Sequence, residues 1–427
     1  MDQQISVANV SRSKSSRVAM LVILSLTYGS QYLDMILLGL VIQPIKAEFA
    51  LSDTQAGLLT GVAFTALFVM LGVPLARLAD RTNRKRIVLA SVAIFSIATI
   101  CCGLTVGFLS LFAVRMMVAV GEAGSVPASI SMLADAFPPE ERRLALSFHS
   151  CGAYFGTAIG LLFVALISPV MNWRHIFGIA GAFGLILATL IAVLVREPAR
   201  LGSAAAPRTF FQDVVRLARV KPFVYLALAL GVVSISSSAA INWVPAYLAR
   251  SHGMSQQYII LYLAAAWGIA ATSGGVASGI LTNWLHRKGG KWPLIAVGTL
   301  MVLFPAMCCA AFLAKDVAVT LLVFGVALFL MGGVRGPTFA AVQDIVPASC
   351  RATANSFLMF SMYAIGITFG PLMTGVVSDL LQASLGAEAL RYALLIVISS
   401  AAIIGAVLVA LAASTIGSVN VEEAALS

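Results

Sequence analysis

The stretch LARLADRTNRKRIVLA, residues 75–90, places five cations (Arg77, Arg81, Arg84, Lys85, Arg86) and one acid (Asp80) within ten positions. Only 10% of this 427-residue chain is charged, so such a concentration calls for a cause. Continuous apolar runs lie on both sides of it. With 60% hydrophobic residues and a mean hydropathy of +0.99, the chain has too few polar groups to cover a soluble surface.

Runs long enough to cross ~30 Å of hydrocarbon recur along the whole chain. Twelve are read, near 18–42, 54–76, 87–108, 110–134, 144–168, 175–195, 223–248, 257–281, 292–313, 317–342, 353–378 and 391–412. Barrel strands would give short alternating segments instead, so the expected class is an all-α integral membrane protein. The basic N-terminus followed by an apolar run superficially resembles a signal peptide. That run is too long for one and contains Asp34, so it reads as a retained first helix.

The +10 net charge is not a nucleic-acid footprint. With both termini cytoplasmic, twenty Lys and Arg fall in cytoplasmic segments, whereas the outer loops hold five (Lys46, Arg174, Arg250, Lys315, Arg391). This is the positive-inside bias, and it puts residues 75–90 on the cytoplasmic face of a multi-pass inner (plasma) membrane protein. The six cysteines lie in or beside apolar helices without metal-ligand spacing and read as small packing residues. No Gly-Lys phosphate loop supports ATP drive, and no cofactor is implied.

Residues 196–221, REPARLGSAAAPRTFFQDVVRLARVK, form the one clear linker, with an amphipathic second part suited to the membrane interface. The expected organisation is a six-helix bundle over 1–195, a cytoplasmic linker over 196–222 and a second six-helix bundle over 223–427. The halves resemble each other. DAFPPEERRLALSF (135–148) aligns without gaps on DIVPASCRATANSF (344–357), and the pair Cys101–Cys102 recurs at Cys308–Cys309. Duplicated six-helix bundles are a transporter architecture, with substrate bound near the midplane.

LARLADRTNRKR resembles the loop signature of the major facilitator superfamily, with Ala76 and Asn83 in place of its two glycines. QYLDMILLGLVIQPIKAEFALSDTQAGLLTG (31–61), RMMVAVGEAG (115–124) and DAFPPEERRLALSF are similar to the Spinster-like branch, although Met35 stands where that branch commonly has Arg. The resemblance implies two pseudo-symmetric bundles, alternating access and a lysolipid- or sphingolipid-like amphiphile as substrate. It also implies proton movement through acids of the first and fourth helices. Alternatives are a facilitator for a small organic anion, aromatic ones included, or a non-transporting membrane sensor. An enzyme is not expected, since no nucleophile–base or metal constellation appears. Expected partners are the substrate, protons and membrane lipids, with a monomeric protein.

Four ionisable residues fall well inside the runs: Asp34, Arg115, Glu122 and Arg335. Charge at the bilayer centre costs at least ~2.5–3.5 kcal/mol, so these side chains should face a bundle interior. Asp34, Glu122 and Arg115 form the candidate proton-coupling set. Desolvation favours a protonated carboxyl and a nearby cation an ionised one, so movement of Arg115 would switch protonation. Arg335, beside Gly336 and Pro337, reads either as a ligand for an anionic substrate group or as a snorkelling structural cation. Tyr28, Gln31, Tyr32, Asn242 and Trp243, with Arg115, Glu122 and Arg335, are the candidate cavity residues. Interhelical hydrogen bonding is the other reading of the polar ones. Asp80, Arg81 and Arg84 form a candidate cytoplasmic latch, because anchoring alone does not explain an acid within a cationic run. The four histidines read as structural. Reporter fusions after Arg86, within 200–215 and at the C-terminus should all report cytoplasm; an outer signal from the 200–215 fusion would overturn the two-bundle topology.

Overall fold

The computed structural model describes residues 14–199, 210–288, 292–346 and 351–415. All regular structure among them is helical, in twelve long runs. The first six are α1 (Lys14–Leu40), α2 (Asp53–Gly57, a π-helical turn Leu58–Val62, then Ala63–Arg81), α3 (Arg84–Cys102), α4 (Phe108–Ala136), α5 (Pro139–Ile167) and α6 (Trp173–Leu194). Next come α7 (Lys221–His252), α8 (Gln256–Ala265, π-helical Ala266–Ala271, Thr272–His286) and α9 (Trp292–Leu313). The last three are α10 (Val317–Ile345), α11 (Arg351–Ser361, π-helical Met362–Ile367, Thr368–Leu385) and α12 (Ala389–Thr415). Ten described stretches are long and apolar enough to cross a membrane. One of these, Thr353–Thr415, takes in nearly all of α11 and the whole of α12, and Gly156–Ile167 in α5 is a shorter apolar stretch.

Local sequence sets the helix ends. The Asn83 side chain accepts from Arg86 N at 3.0 Å and caps α3, Asn172 caps α6, and Asp316 caps α10. Gly253 ends α7 at φ 63°, a left-handed conformation that costs glycine little. Large apolar side chains such as Leu104 (73% exposed), Val106 (86%) and Leu380 (74%) point outward. Hydrocarbon rather than water suits so many of them.

The chain divides into two compact units, residues 1–51 with 63–205, and residues 52–62 with 206–427. In the first, α1 and α5 meet along a glycine seam. A Cβ on Gly152 would overlap the Ser25 carbonyl, and one on Gly156 the Gly29 carbonyl. The four-residue glycine spacing of the sequence thus serves backbone contact. Between the end of α1 and the start of α6, Arg174 and the Trp173 indole bind Glu48, and their hydrogen bonds hold its carboxyl below the usual value.

The second unit includes the start of α2, which sequence continuity would assign to the first. Asp53 is 2% exposed and pairs with both Arg250 Nη atoms at 2.9 Å, while Ser378 Oγ donates to it at 2.7 Å. The backbone N–H groups of Asp53 and Thr54 donate to Asp379, which meets the positive end of the helix. Cβ atoms at Gly57 and Gly61 would overlap the carbonyls of Pro371 and Thr368, so the backbones touch here too. Residues 200–209 of the linker lie outside the described residues, but Phe210–Arg219 is helical and Leu217 enters the core with Val220 and Phe223.

Gly156→Leu should lower thermal stability in detergent by the equivalent of about 1–3 kcal/mol, because side-chain volume would have to part α1 from α5. Gly72→Ala, whose added methyl meets nothing within 4 Å, should leave the melting temperature unchanged.

Candidate functional site

Residues of α1 divide between two faces. Thr27, Ser30, Gln31 and Asp34 are buried, whereas Tyr28 and Tyr32 are half-buried on the adjoining face. The i, i+3 step carries Gln31 and Asp34 to one side, towards α3 and α4. Asp34 Oδ2 accepts from Arg115 Nη1 at 2.6 Å, and Asp34 Oδ1 accepts from Thr99 Oγ1 at 2.7 Å. Both charged side chains are almost fully buried, Arg115 at 1% and Asp34 at 2% exposure. The guanidinium also stands over the Phe64 ring, 5.9 Å from its centre.

Two turns along α4 from Arg115, Glu122 is 4% exposed. Gln31 Nε2 donates to Ser125 Oγ and, at 3.5 Å, to the Glu122 backbone carbonyl, leaving the Glu122 carboxylate aside. Its Oε1 has no hydrogen-bond partner among the described residues. Pro127 follows within α4 and removes one backbone donor from this region. Beside Gln31, Tyr28 and Tyr32 meet edge to face at 5.1 Å. His149 of α5 stacks on Tyr28 at 5.1 Å and 22°, is 2% exposed, and has no partner for either ring nitrogen among the described residues.

The structure therefore brings together Asp34, Arg115, Glu122 and Gln31, with Tyr28 and Tyr32 on the neighbouring face of the same helix. In the second unit, Asn242 is half-buried and donates to Ser238 O at 2.9 Å within α7. Trp243 is 1% exposed and its indole donates to Pro371 O at 3.0 Å. The side chains of Arg335 and Asp80 lie outside the described residues. Arg81 is exposed in the last turn of α2.

Arg84 is 2% exposed and binds inside the first unit. It donates to Glu197 Oε1 at 2.8 Å, Ser131 Oγ at 3.0 Å and Pro198 O at 3.0 Å, and pairs with Asp135. Glu197 also accepts from Lys85 N at 2.7 Å, so the opening cluster ties the start of α3 to α4 and to the end of α6.

Sequence reasoning missed Thr99, Ser125 and His149. Thr99 is one hydroxyl in an apolar helix and gives no pattern. Ser125 stands three residues after Glu122, a helical spacing that was available as a signal and went unused. The Asp53–Arg250–Asp379 cluster was partly legible, since SDTQ (52–55) has the form of a capping box, and the structure shows one at Ser52 and Gln55.

Comparison with known proteins agrees with this architecture. The family model of the Major Facilitator Superfamily matches residues 24–371. The chain belongs to that superfamily. Its members are transporters, so this multi-pass membrane chain is a transporter rather than an enzyme. It is 29% identical over 406 residues to an MFS-type efflux pump of Mycolicibacterium smegmatis, covering 94% of each chain. It is 26% identical to the sphingosine-1-phosphate transporter SPNS2 of Xenopus tropicalis, covering 87% of this chain and 75% of the relative. The crystal structure of a bacterial homologue of the human lysosomal transporter Spinster superposes with a TM-score of 0.83 at 27% identity. That match covers 95% of this chain and 97% of the other. The Spinster-like resemblance of the sequence is therefore shared by the fold.

The buried ion pair yields a stability prediction. Asp34→Ala strands Arg115 in a dry interior and should cost about 3–5 kcal/mol. The double variant Asp34→Leu/Arg115→Met should be more stable than either single variant, as read by thermal unfolding in detergent. A double variant at least as unstable as the two single losses combined would show that the pair is not an isolated electrostatic unit.

Proposed function

We propose that this superfamily member is a proton-coupled secondary transporter that works by alternating access on an amphipathic, lysolipid- or sphingolipid-like substrate. One observation carries the coupling. Two carboxyls and one guanidinium are buried on α1 and α4, yet the guanidinium makes its ion pair with Asp34, leaving Glu122 outside it. An unpaired carboxylate in hydrocarbon is costly, whereas the same group carrying a proton is neutral. Proton exchange at Glu122, together with release of Asp34 by Arg115, gives the first unit two charge states that a pH gradient can bias. The similarity to a sphingosine-1-phosphate transporter and to Spinster proteins supports the amphiphile reading.

The test is flux in proteoliposomes. Asp34→Asn and Glu122→Gln fix each site neutral with little change of shape. Both should fold and bind substrate but lose accumulation driven by a pH gradient, while exchange at equal pH survives because it need not complete the proton cycle. Arg115→Ala should be more severe. Full pH-driven accumulation by both neutral variants would remove proton coupling and leave the buried charges structural.

A further inference from the structure

A cavity of the first unit lies apart from the buried charges, where α3 ends and α6 begins. Its volume is about 520 Å³, within the range of roughly 300–1,000 Å³ that holds small organic ligands. Ile100 and Leu104 line it from the α3 side, and Met171, Gly178 and Ile179 from the α6 side. The sequence explains its shape. A Cβ on Gly103 would overlap the Arg174 carbonyl and one on Gly181 the Ser96 carbonyl, so α3 and α6 touch at backbone distance. A Cβ on Gly178 would meet nothing within 4 Å. The two helices are thus clamped together beside a groove that Gly178 leaves open. Leu104, Met171 and Ile179 are exposed. In a membrane chain such a groove faces lipid, and an acyl chain is what fills it.

The polar end of the groove narrows the choice of lipid. Arg174, which also lines it, donates to the carbonyls of Gly103 and Thr105 and pairs with Glu48 of the short helix Ile42–Phe49 at 2.5 Å. Its guanidinium stands over the Trp173 ring, 4.3 Å from the centre. These contacts fix the cation in place, yet both it and Glu48 stay partly exposed. Glu48 accepts one hydrogen bond at each oxygen, from Arg174 and from the Trp173 indole. A carboxylate has about four acceptor positions, so acceptor capacity is spare. His175 adds a second acceptor. Its Nδ1 lies 2.7 Å from Asn172 Oδ1, an oxygen that also accepts from the His175 backbone N–H. The neutral ring therefore carries its proton on Nδ1 and presents Nε2 as an acceptor.

A fixed cation thus stands beside two acceptors, one of them anionic. A purely anionic headgroup would find its cation but meet Glu48 as a like charge. A phosphocholine has no N–H to give the acceptors. A phosphoethanolamine brings both parts, a phosphate for Arg174 and an ammonium with three donors for Glu48 and His175. We propose that the groove between α3 and α6 binds one zwitterionic phospholipid with a primary ammonium headgroup. Its acyl chain runs along Ile100, Leu104 and Ile179, and its headgroup spans Arg174 and Glu48. Thr99, on a different face of α3, holds Asp34, so the bound lipid braces the helix that completes the buried ion pair.

The probes are dioleoyl phosphatidylethanolamine, phosphatidylcholine and phosphatidylglycerol, each added alone to delipidated full-length protein in detergent. Native mass spectrometry counts the bound lipid, and thermal unfolding reads the stabilisation that binding confers. The wild type should retain one phosphatidylethanolamine about tenfold or more better than either other lipid. Gly178→Trp, which fills the groove without meeting backbone, should lose that lipid while keeping its melting temperature in lipid-free detergent. Glu48→Gln, which keeps the shape but not the charge, should bring retention of phosphatidylethanolamine down to that of phosphatidylcholine. Should Glu48→Gln fail to fold, Gly178→Trp alone decides. Equal retention of the three lipids, preference for phosphatidylglycerol, undiminished retention by Gly178→Trp, or a preference that survives in folded Glu48→Gln would each overturn the proposal.

Discussion

The constraint on which the rest of this structure depends is the cost of placing ionised side chains where no water reaches. Asp34 and Arg115 meet that cost together, and Thr99 completes the carboxylate's hydrogen bonding. The pair crosses from α1 to α4, so its geometry is fixed only if those helices keep their register. Much of the surrounding architecture does that. The glycine seam brings α5 against α1 at backbone distance, and Arg84 ties the start of α3 to α4 and to the residues that follow α6. The buried charges are thus held in a frame with little freedom to shift. Close-packed interiors pass from one discrete arrangement to another rather than deforming smoothly, which suits a two-state cycle.

Helix α2 shows how the division into units cuts across chain order. Its first residues, Ser52–Val62, belong with the second unit, and its remainder, from Ala63, belongs with the first. The boundary coincides with the π-helical turn Leu58–Val62. A π turn interrupts the i→i−4 ladder, so it is a place where a helix bends at low cost. Asp53, held by Arg250 and Ser378, fixes one side of that turn, and Phe64, under Arg115, lies just past the other.

The fold was legible because membrane insertion imposes it on composition. Apolar length, cation asymmetry and the aligned segments at 135–148 and 344–357 are one-dimensional signals, and they were enough for twelve helices in two repeats. The buried charges were legible for the same reason, since an acid or a guanidinium inside an apolar run stands out. Their pairing was legible as well: a seven-residue step sets Arg115 and Glu122 roughly 10 Å apart along one helix, too far for a close pair, which leaves Asp34 as the partner of Arg115, and the structure joins those two. The role of Arg84, by contrast, was hidden. Its position in a loop signature suggested a latch, whereas its partners Asp135 and Glu197 are distant in sequence and lie in its own unit. His149 gave no signal at all, because an unpartnered imidazole is recognisable only once its surroundings are known.

The duplication sharpens the meaning of the buried site. Asp135 and Asp344 mark equivalent positions of the two repeats, and the same step along the chain carries Arg115 to Phe324 and Glu122 to Met331. Both replacements are buried, at 2% and 7% exposure. The second repeat thus keeps the packing volume of these sites and discards the ionic groups. If the charges served only to hold helices together, the equivalent helices of the second repeat, packed by the same rules, would have the same need of them. They manage with Phe and Met, as replacing buried ion pairs by apolar residues of similar volume would lead one to expect. Retaining a costly acid–base set in one repeat alone is accounted for by something the set does, and a single unpaired carboxylate is the smallest device that can hold one exchangeable charge.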